Sequence, residues 1–230
     1  MMNKKLILIF TIFIVFAITI KVFGEYANKN NVLVILDSSY SMSEKINKIK
    51  KIDMAKSSLN EVLSSIPNST NVGLRVYGHK TNFLMFGGCK ASDLVVPILP
   101  NSKESIHSRL ESVQPTGLTP ITYSLRQAVE KDLNTIEGKK RIVLISDGGE
   151  NCDISPCEYV MELVKTRPDI IIDVIGFDLD DEEAESQLKC TALVMSGKYY
   201  TAKNQSELNK SIRESLNFKA EVDGTILNKN

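Results

Sequence analysis

Carboxylate and hydroxyl side chains occur in three short segments of the chain, each at the end of a regular pattern. Asp37, Ser39 and Ser41 form a D-x-S-x-S sequence directly after an apolar run. Thr119 opens a threonine–proline pair, and Asp147 follows a second apolar run. Carboxylates and hydroxyls are hard oxygen ligands that suit Mg²⁺ before Mn²⁺ or Ca²⁺. If the three segments meet, these five residues predict a site for a divalent cation.

Two continuous apolar segments precede the two acidic residues and indicate strands that are buried on both faces. The predicted strands cover residues 32–36 and 141–146, and in the second strand the apolar run is 142–145. Elsewhere, apolar runs alternate with apolar residues at helical spacing. This pattern predicts further strands at 72–77, 94–99, 170–176 and 198–201, and helices at 46–66, 106–113, 121–136, 156–167, 181–191 and 206–218.

Alternating helices and uninterrupted apolar strands are typical of a doubly wound α/β fold. We expect a mostly parallel, six-stranded sheet with helices on both faces. Pro97 interrupts the 94–99 run, and proline fits only an edge strand, so we place this strand antiparallel at the sheet edge. Ligands of such sheets bind beyond the carboxyl ends of the strands, where the strand order reverses. Asp37 and Asp147 would meet there if their strands are neighbours.

Each of the three segments also has an ordinary structural interpretation. The serines at 38–43 fit a polar turn, and Asp147-Gly148 is a turn signal. Thr119 fits an N-cap followed by proline at the first helical position. The three segments together, each at the expected end of its element, are much more specific than any one of them.

The motifs resemble those of the von Willebrand factor type A (vWA) domain of exported bacterial proteins. D-x-S-x-S follows an apolar strand, T-P opens a helix, and S-D-G follows a second apolar strand. All five residues of that family's metal-ion-dependent adhesion site (MIDAS) have counterparts here, namely Asp37, Ser39, Ser41, Thr119 and Asp147. The resemblance extends over residues 31–218.

The resemblance implies a role for each of these residues. Ser39 and Ser41 would bind the cation through their hydroxyls, and Thr119 would bind it directly in a ligand-competent state. Asp37 and Asp147 would act largely through water, orienting the ligands around the metal. Because the hydroxyls are neutral, the cation would stay able to accept a Glu or Asp carboxylate from a protein partner.

The first 24 residues differ in character from the rest of the chain. Lys4 and Lys5 precede an apolar run over residues 6–20, and small residues follow it. This arrangement predicts a secretory signal, and an uncleaved membrane anchor, which would tether the domain, is the alternative. We expect an exported protein that is secreted, periplasmic or on the outer face of the cytoplasmic membrane. A linker at 25–31, the domain at 32–218 and a tail at 219–230 would follow the signal.

Four cysteines lie in the part of the chain that we expect to be exported, where two disulfides are the default. Cys89 and Cys152 fall in loops expected at the metal end of the sheet, whereas Cys157 and Cys190 lie in successive helices. We therefore favour the pairs Cys89–Cys152 and Cys157–Cys190. A local bridge between Cys152 and Cys157 is the rival.

The chain has only two histidines, too few for a multi-histidine zinc site. His79 follows the second predicted strand, near the expected rim of the metal site. It fits a surface or capping residue better than a partner contact, because no acid or nucleophile stands near it in the sequence. His107 lies on a polar helix face.

Charge and motif content narrow the function. The chain carries 28 basic and 28 acidic residues, which argues against nucleic acid as the partner because phosphate binding needs clustered Lys and Arg. No G-x-S-x-G, H-E-x-x-H or phosphate-loop motif occurs, so we expect no enzyme. The leading hypothesis is a metal-dependent adhesion or interaction module. A metal-dependent hydrolase or phosphotransferase that uses the same oxygen cluster, and a structural domain with an idle site, are the alternatives.

Overall fold

A central six-stranded sheet organises the protein, whose computed structural model describes residues 30–80 and 88–216. The sheet order is β5-β4-β1-β6-β7-β8, and a separate two-stranded hairpin is formed by β2 and β3. The strands are β1 Asn30–Asp37, β2 Lys45–Ile46, β3 Ile49–Lys50, β4 Thr70–Tyr77, β5 Ser92–Leu99, β6 Lys139–Ser146, β7 Ile170–Phe177 and β8 Tyr199–Ala202. The helices are α1 Lys51–Ser65, α2 Lys103–Ser112, α3 Ile121–Gln127, α4 Pro156–Thr166, α5 Glu182–Val194 and α6 Gln205–Ser215.

The sheet topology confirms the predicted fold class. All neighbouring strands of the main sheet are parallel except β5, which pairs antiparallel with β4 at the edge. Pro97 lies within this edge strand, where a missing N–H costs no ladder hydrogen bond on the open side. From β1 the chain winds outward through β4, then returns to the other side through β6. The strand order therefore reverses between β1 and β6, where a ligand site is expected.

Side chains of β1 alternate between two hydrophobic cores, one on each face of the sheet. Val32, Val34 and Leu36 face the core that α1, α2 and α6 cover. Leu33 and Ile35 face the core that α3, α4 and α5 cover. Burial on both faces explains the uninterrupted apolar run and fixes the register of β1. The carboxyl end of β1 is thereby held in one position, at the side of the sheet where the parallel strands end.

The predicted helix over 46–66 begins later than expected, at Lys51. Ile46 and Ile49 instead pair across an antiparallel hairpin. Asn47 and Lys48 form its turn, with positive φ angles of 49° and 74°, as a type I′ turn requires. The three-residue spacing of the two isoleucines imitates a helix, which is why the periodicity misassigned them.

The predicted helix over 121–136 begins at Ile121 as expected, but its cap and its end differ from expectation. Thr119 is not the N-cap, because Pro120 takes that position without a side-chain cap. The α-helical part ends at Gln127 and continues as a π-helical turn over Ala128–Asp132. This turn presents Asp132 to the buried Arg75 of β4, and the two pair at 2.7 and 2.8 Å.

The first strand begins slightly before the predicted start of the domain. β1 begins at Asn30, so the last two residues of the predicted 25–31 linker belong to the sheet. The predicted signal or anchor at 1–24 and the tail at 219–230 lie outside the described residues. Within 30–80 and 88–216, no helix has the length and apolar character needed to cross a membrane.

Candidate metal centre

Asp37, the last residue of β1, is completely buried and has both carboxylate oxygens engaged. Oδ1 accepts the backbone N–H of Ser39 at 2.7 Å. Oδ2 accepts the hydroxyls of Tyr77 at 2.8 Å and of Ser146 at 2.6 Å. Burial raises the pKa of Asp37 above its ordinary value, although the hydrogen bonds that it accepts oppose the shift. Asp37 is thus placed to orient the D-x-S-x-S turn.

The two serines of the motif and Asp147 form a continuous oxygen cluster. Ser39 Oγ and Ser41 Oγ lie 3.0 Å apart. Ser41 Oγ donates to Asp147 Oδ1 at 2.7 Å. The site therefore brings together side chains from the loops after β1 and β6, as the topology requires.

Thr119 reaches the same end of the sheet on a loop that is fastened to the Ser39 turn by backbone hydrogen bonds. Tyr40 N–H donates to Gly117 O at 2.9 Å, and Gly117 N–H donates to Gly78 O at 2.6 Å. Gly78 has a φ of 70°, and a Cβ there would come within 2.6 to 2.8 Å of Leu118 O and the Ser39 backbone. The close approach of the three loops thus depends on glycine at this position.

The loop after β6 caps helix α3 and leaves Thr119 free of that role. Glu150 accepts the N–H of Thr122 at 2.6 Å and also holds its own loop through Cys152 N at 2.7 Å. Asn151 Oδ1 accepts the N–H of Thr119 at 2.9 Å, and Asn151 Nδ2 lies 3.5 Å from Thr119 Oγ1. Glu150 and Asn151 therefore position the threonine that the sequence alone would assign as a cap.

The cysteines pair as favoured from the sequence, Cys89 with Cys152 and Cys157 with Cys190. The first disulfide joins the segment before β5 to the Glu150–Asn151 loop at the metal end. The second links the first turn of α4 to α5. One bridge thus belongs to the rim of the candidate site and the other to the helical layer.

Lys51, the first residue of α1, is a site residue that the sequence analysis missed. Its side chain is buried, and Nζ lies 3.2 Å from Asp147 Oδ2, 2.9 Å from Glu44 and 3.4 Å from Asp178. Burial alone would lower the pKa of Lys51, but Glu44 and Asp147 outweigh it and hold the pKa above its ordinary value. Lys51 therefore holds a fixed positive charge beside Asp147 Oδ2, the carboxylate oxygen that Ser41 does not contact.

Asp147 is under opposing electrostatic influences. Burial and the nearby charge of Asp37 raise its pKa to about 6, while Ser41 and Lys51 act in the opposite direction. Asp147 thus lies near a second buried carboxylate, Asp37, and shares the ammonium of Lys51 with Glu44 and Asp178, so a bound cation would offset negative charge that Lys51 leaves unbalanced.

The geometry fits a small divalent cation. Oxygen ligands about 2.1 Å from Mg²⁺ at neighbouring octahedral positions lie about 3 Å apart, and the two serine hydroxyls have this separation. No group of three or more His, Cys, Asp and Glu side chains within the described ranges is placed to hold a metal ion. The oxygens that the structure brings together here are the hydroxyls of Ser39 and Ser41 and one carboxylate oxygen of Asp147.

The two histidines lie outside this oxygen cluster. His79 is less exposed than expected, and its Nε2 lies 3.0 Å from Asp93 Oδ2. Burial lowers the pKa of His79, against the effect of Asp93. His107 lies 3.8 Å from Glu111, one helical turn on.

Other supporting residues could be recognised only from the fold. Tyr77 and Ser146 end β4 and β6, and their polar side chains after apolar runs were the available signal. Glu150 and Asn151 follow S-D-G-G directly, and this closeness to the motif was the signal for them.

Known proteins resemble this chain in the region that contains the candidate site. A family model for the von Willebrand factor type A domain matches residues 32–150, which contain all five predicted site positions. The chain belongs to this family. The matched residues include four strands of the sheet, β1, β4, β5 and β6, and the three loops that carry the five predicted site positions.

Two curated relatives of this vWA protein come from Bacillus subtilis (strain 168). YwmC is 32% identical over 219 residues, covering 91% of this chain and 95% of its own. YwmD is 31% identical over 192 residues, covering 82% and 85%. Both are described as uncharacterized, so they support the family without assigning an activity.

Solved structures at lower identity share the vWA fold. A von Willebrand factor type A structure from Catenulispora acidiphila has a TM-score of 0.66 at 16% identity, covering 82% of this chain and 42% of its own. Proximal thread matrix protein 1 from the mussel byssus has a TM-score of 0.62 at 18% identity, covering 83% and 45%. The mussel structure is described as having a zinc-occupied MIDAS motif.

Proposed function

We propose that this vWA domain is an exported, metal-dependent protein-binding module and not an enzyme. The proposal rests on one observation, a cluster of three side-chain oxygens where the strand order reverses. Ser41 Oγ lies 3.0 Å from Ser39 Oγ and 2.7 Å from Asp147 Oδ1. All five MIDAS positions are present in the sequence. The metal-bearing MIDAS of the mussel protein supports a metal at the equivalent place.

The arrangement of charge supports capture of a partner carboxylate. Asp37 has both oxygens engaged by protein donors. Lys51 offsets part of the charge of Asp147. A bound divalent cation would supply a Lewis-acidic centre that the protein's own oxygens leave under-neutralised. Ser39, Ser41 and Thr119 would hold it, with Mg²⁺ preferred and Mn²⁺ or Ca²⁺ as substitutes. A Glu or Asp side chain of a protein partner would complete the site.

The same contacts favour binding over hydrolysis. Asp37 is buried with both oxygens accepting hydrogen bonds from protein groups, and Asp147 is held by Ser41 and Lys51, so both carboxylates are committed to positioning contacts. Export is supported by the two disulfides, which persist in oxidising compartments. We place the domain outside the cytoplasm, either released or tethered through residues 1–24.

Thermal melts of the oxidised protein in EDTA, Mg²⁺, Mn²⁺ and Ca²⁺ test the metal site. A cation at ten times its dissociation constant adds about 1.4 kcal/mol, or roughly 3–6 °C for a domain of this size. Ser41→Ala should abolish the shift, because it removes a ligand without changing the charge of the site. Ser43→Ala, in the same helical turn but outside the motif, is the matched control and should keep it. A shift that survives Ser41→Ala contradicts the site.

A further inference from the structure

The hairpin of β2 and β3 presents a compact positive charge beside the metal centre. We call residues 45–50 the basic hairpin. Its three lysines, Lys45, Lys48 and Lys50, are all exposed, and no acidic residue occurs within it. The hairpin is therefore a local anion-attracting surface on a chain whose formal net charge is zero.

Two features of the basic hairpin work against its own stability. Lys45 lies directly opposite Lys50 in the antiparallel pair, and like charges at such positions repel. Lys48 takes a left-handed conformation with a φ of 74°, at the turn position where glycine is favoured. Local choices that oppose the fold are expected where function requires them. An anionic partner would remove the repulsion and would explain why lysine is present at these positions.

The basic hairpin is connected to the metal centre at both of its ends. Before it, Glu44 N–H donates to Ser41 O at 2.9 Å. After it, Lys51 N–H donates to Glu44 O at 2.8 Å, and the Lys51 side chain contacts Asp147. A partner held at the metal centre would therefore lie close to the hairpin.

Apolar side chains accompany the charge. Tyr40 lies between the two serines of the motif and is 73% exposed, and Ile49 of the hairpin is 48% exposed. Exposed aromatic side chains commonly anchor protein partners. Lys51 also contacts Asp178, and the residues that follow it at the start of α5, Asp180, Asp181 and Glu182, are acidic and exposed. An acidic ligand is thereby favoured on the hairpin side and repelled from the α5 side.

We propose that Tyr40 and the basic hairpin form, with the metal centre, one docking surface for an acidic segment of a partner protein. One carboxylate of that segment would bind at the metal, further carboxylates would pair with the hairpin lysines, and an apolar residue would pack on Tyr40. The inference rests on the proposed function for the first of these contacts only. The lysine contacts do not require a metal.

The test measures binding of the full oxidised protein to a random copolymer of glutamate and tyrosine, with polyglutamate and polyphosphate as comparison probes. Replacing the hairpin lysines by glutamine should weaken copolymer binding by about tenfold or more and should reduce its dependence on salt. The variant is K45Q/K48Q/K50Q. The matched control is K131Q/K139Q/K165Q, which removes three charges from exposed lysines away from this surface. It should change copolymer binding by less than about twofold.

Two single variants separate charge, packing and folding. Lys48→Gly should leave the melting temperature equal or higher, because glycine suits the turn, yet it should weaken binding. Tyr40→Ser should weaken binding to the copolymer but leave polyglutamate binding unchanged.

The outcomes distinguish the inference from the proposed function. If the hairpin variant weakens binding both in Mg²⁺ and in EDTA, the lysine contacts are supported. This holds even if EDTA does not change binding by the wild type, a result that would contradict the metal proposal. If EDTA abolishes binding while the hairpin variant matches the wild type, the metal proposal stands and the inference is overturned. The inference is also overturned if the control triple variant loses as much copolymer affinity as the hairpin variant. It is overturned as well if polyphosphate binds more tightly than the copolymer and depends on the same lysines.

Discussion

At the scale of single residues, Lys51 is the feature that most affects the electrostatics of the site. Its ammonium contacts Asp147, Glu44 and Asp178 while its side chain is almost completely buried. It neutralises part of the charge that a divalent cation would otherwise meet. Lys51 therefore stabilises the protein before any metal binds and leaves a bound cation more positive towards an external carboxylate.

Lys51→Met should destabilise the protein in EDTA by about 3–5 kcal/mol, because it leaves a buried carboxylate without its partner. Mg²⁺ should restore more stability to this variant than it adds to the wild type, since the cation then meets an uncompensated negative charge. Urea unfolding with and without Mg²⁺ measures both effects. Lys50→Met, which removes the exposed neighbouring lysine, should stay within about 0.5 kcal/mol of the wild type. An equal or smaller Mg²⁺ effect in Lys51→Met would contradict this account of the charge.

At the scale of elements, the site depends on three loops that contact one another through their backbones. The turn after β1, the turn after β4 and the loop before α3 meet at Gly78 and Gly117. The loop after β6 then fixes Thr119 and caps α3 through Glu150. The spacing of the candidate ligands is therefore a property of loop packing, and the strands only bring the loops to the same edge.

Gly78→Ala should lower both stability and metal affinity. A left-handed residue with a Cβ costs about 1–2 kcal/mol, and this Cβ also meets the Ser39 backbone at 2.7 Å. The displaced Ser39 turn should bind Mg²⁺ more weakly in calorimetric titrations. Gly138→Ala is the matched control, because Gly138 has a φ of 86° but precedes β6 at the opposite end of the sheet. The control variant should lose stability and keep the Mg²⁺ affinity of the wild type. If Gly78→Ala also keeps the wild-type Mg²⁺ affinity, the spacing of the candidate ligands does not depend on this loop contact.

At the scale of the whole molecule, two hydrophobic cores hold the sheet, and two disulfides act at different distances from the site. Cys89–Cys152 closes a separation of 63 residues and tethers the loop that positions Thr119. Cys157–Cys190 closes a separation of 33 residues between α4 and α5. We therefore expect the first bridge to affect both stability and the candidate metal centre, and the second to affect stability alone.

Removing either disulfide by paired serine substitutions should cost about 2–4 kcal/mol, with the larger loss for the longer loop. Only C89S/C152S should also lower Mg²⁺ affinity, because it releases the Glu150–Asn151 loop. Denaturation curves give the stability loss, and titration calorimetry at a temperature where both variants are folded gives the affinity. Equal Mg²⁺ affinities in the two variants would show that the first disulfide does not position the site.

The sequence by itself determined the fold class and the edge position of β5, and it singled out five residues whose role as metal ligands stays a prediction. It could do so because buried parallel strands leave continuous apolar runs, and because the carboxyl ends of such strands share one edge. It also favoured the disulfide pairing that the structure contains.

Only the tertiary structure decided which groups surround those ligands. Ile46 and Ile49 have helical spacing, but a turn with two left-handed residues makes them a hairpin. Thr119 resembles a cap, but Glu150 from a distant loop takes that role. Lys51 contacts Asp147 across 96 positions of the chain. Local periodicity carries no information about such contacts, because they depend on how far a side chain reaches after the sheet has assembled.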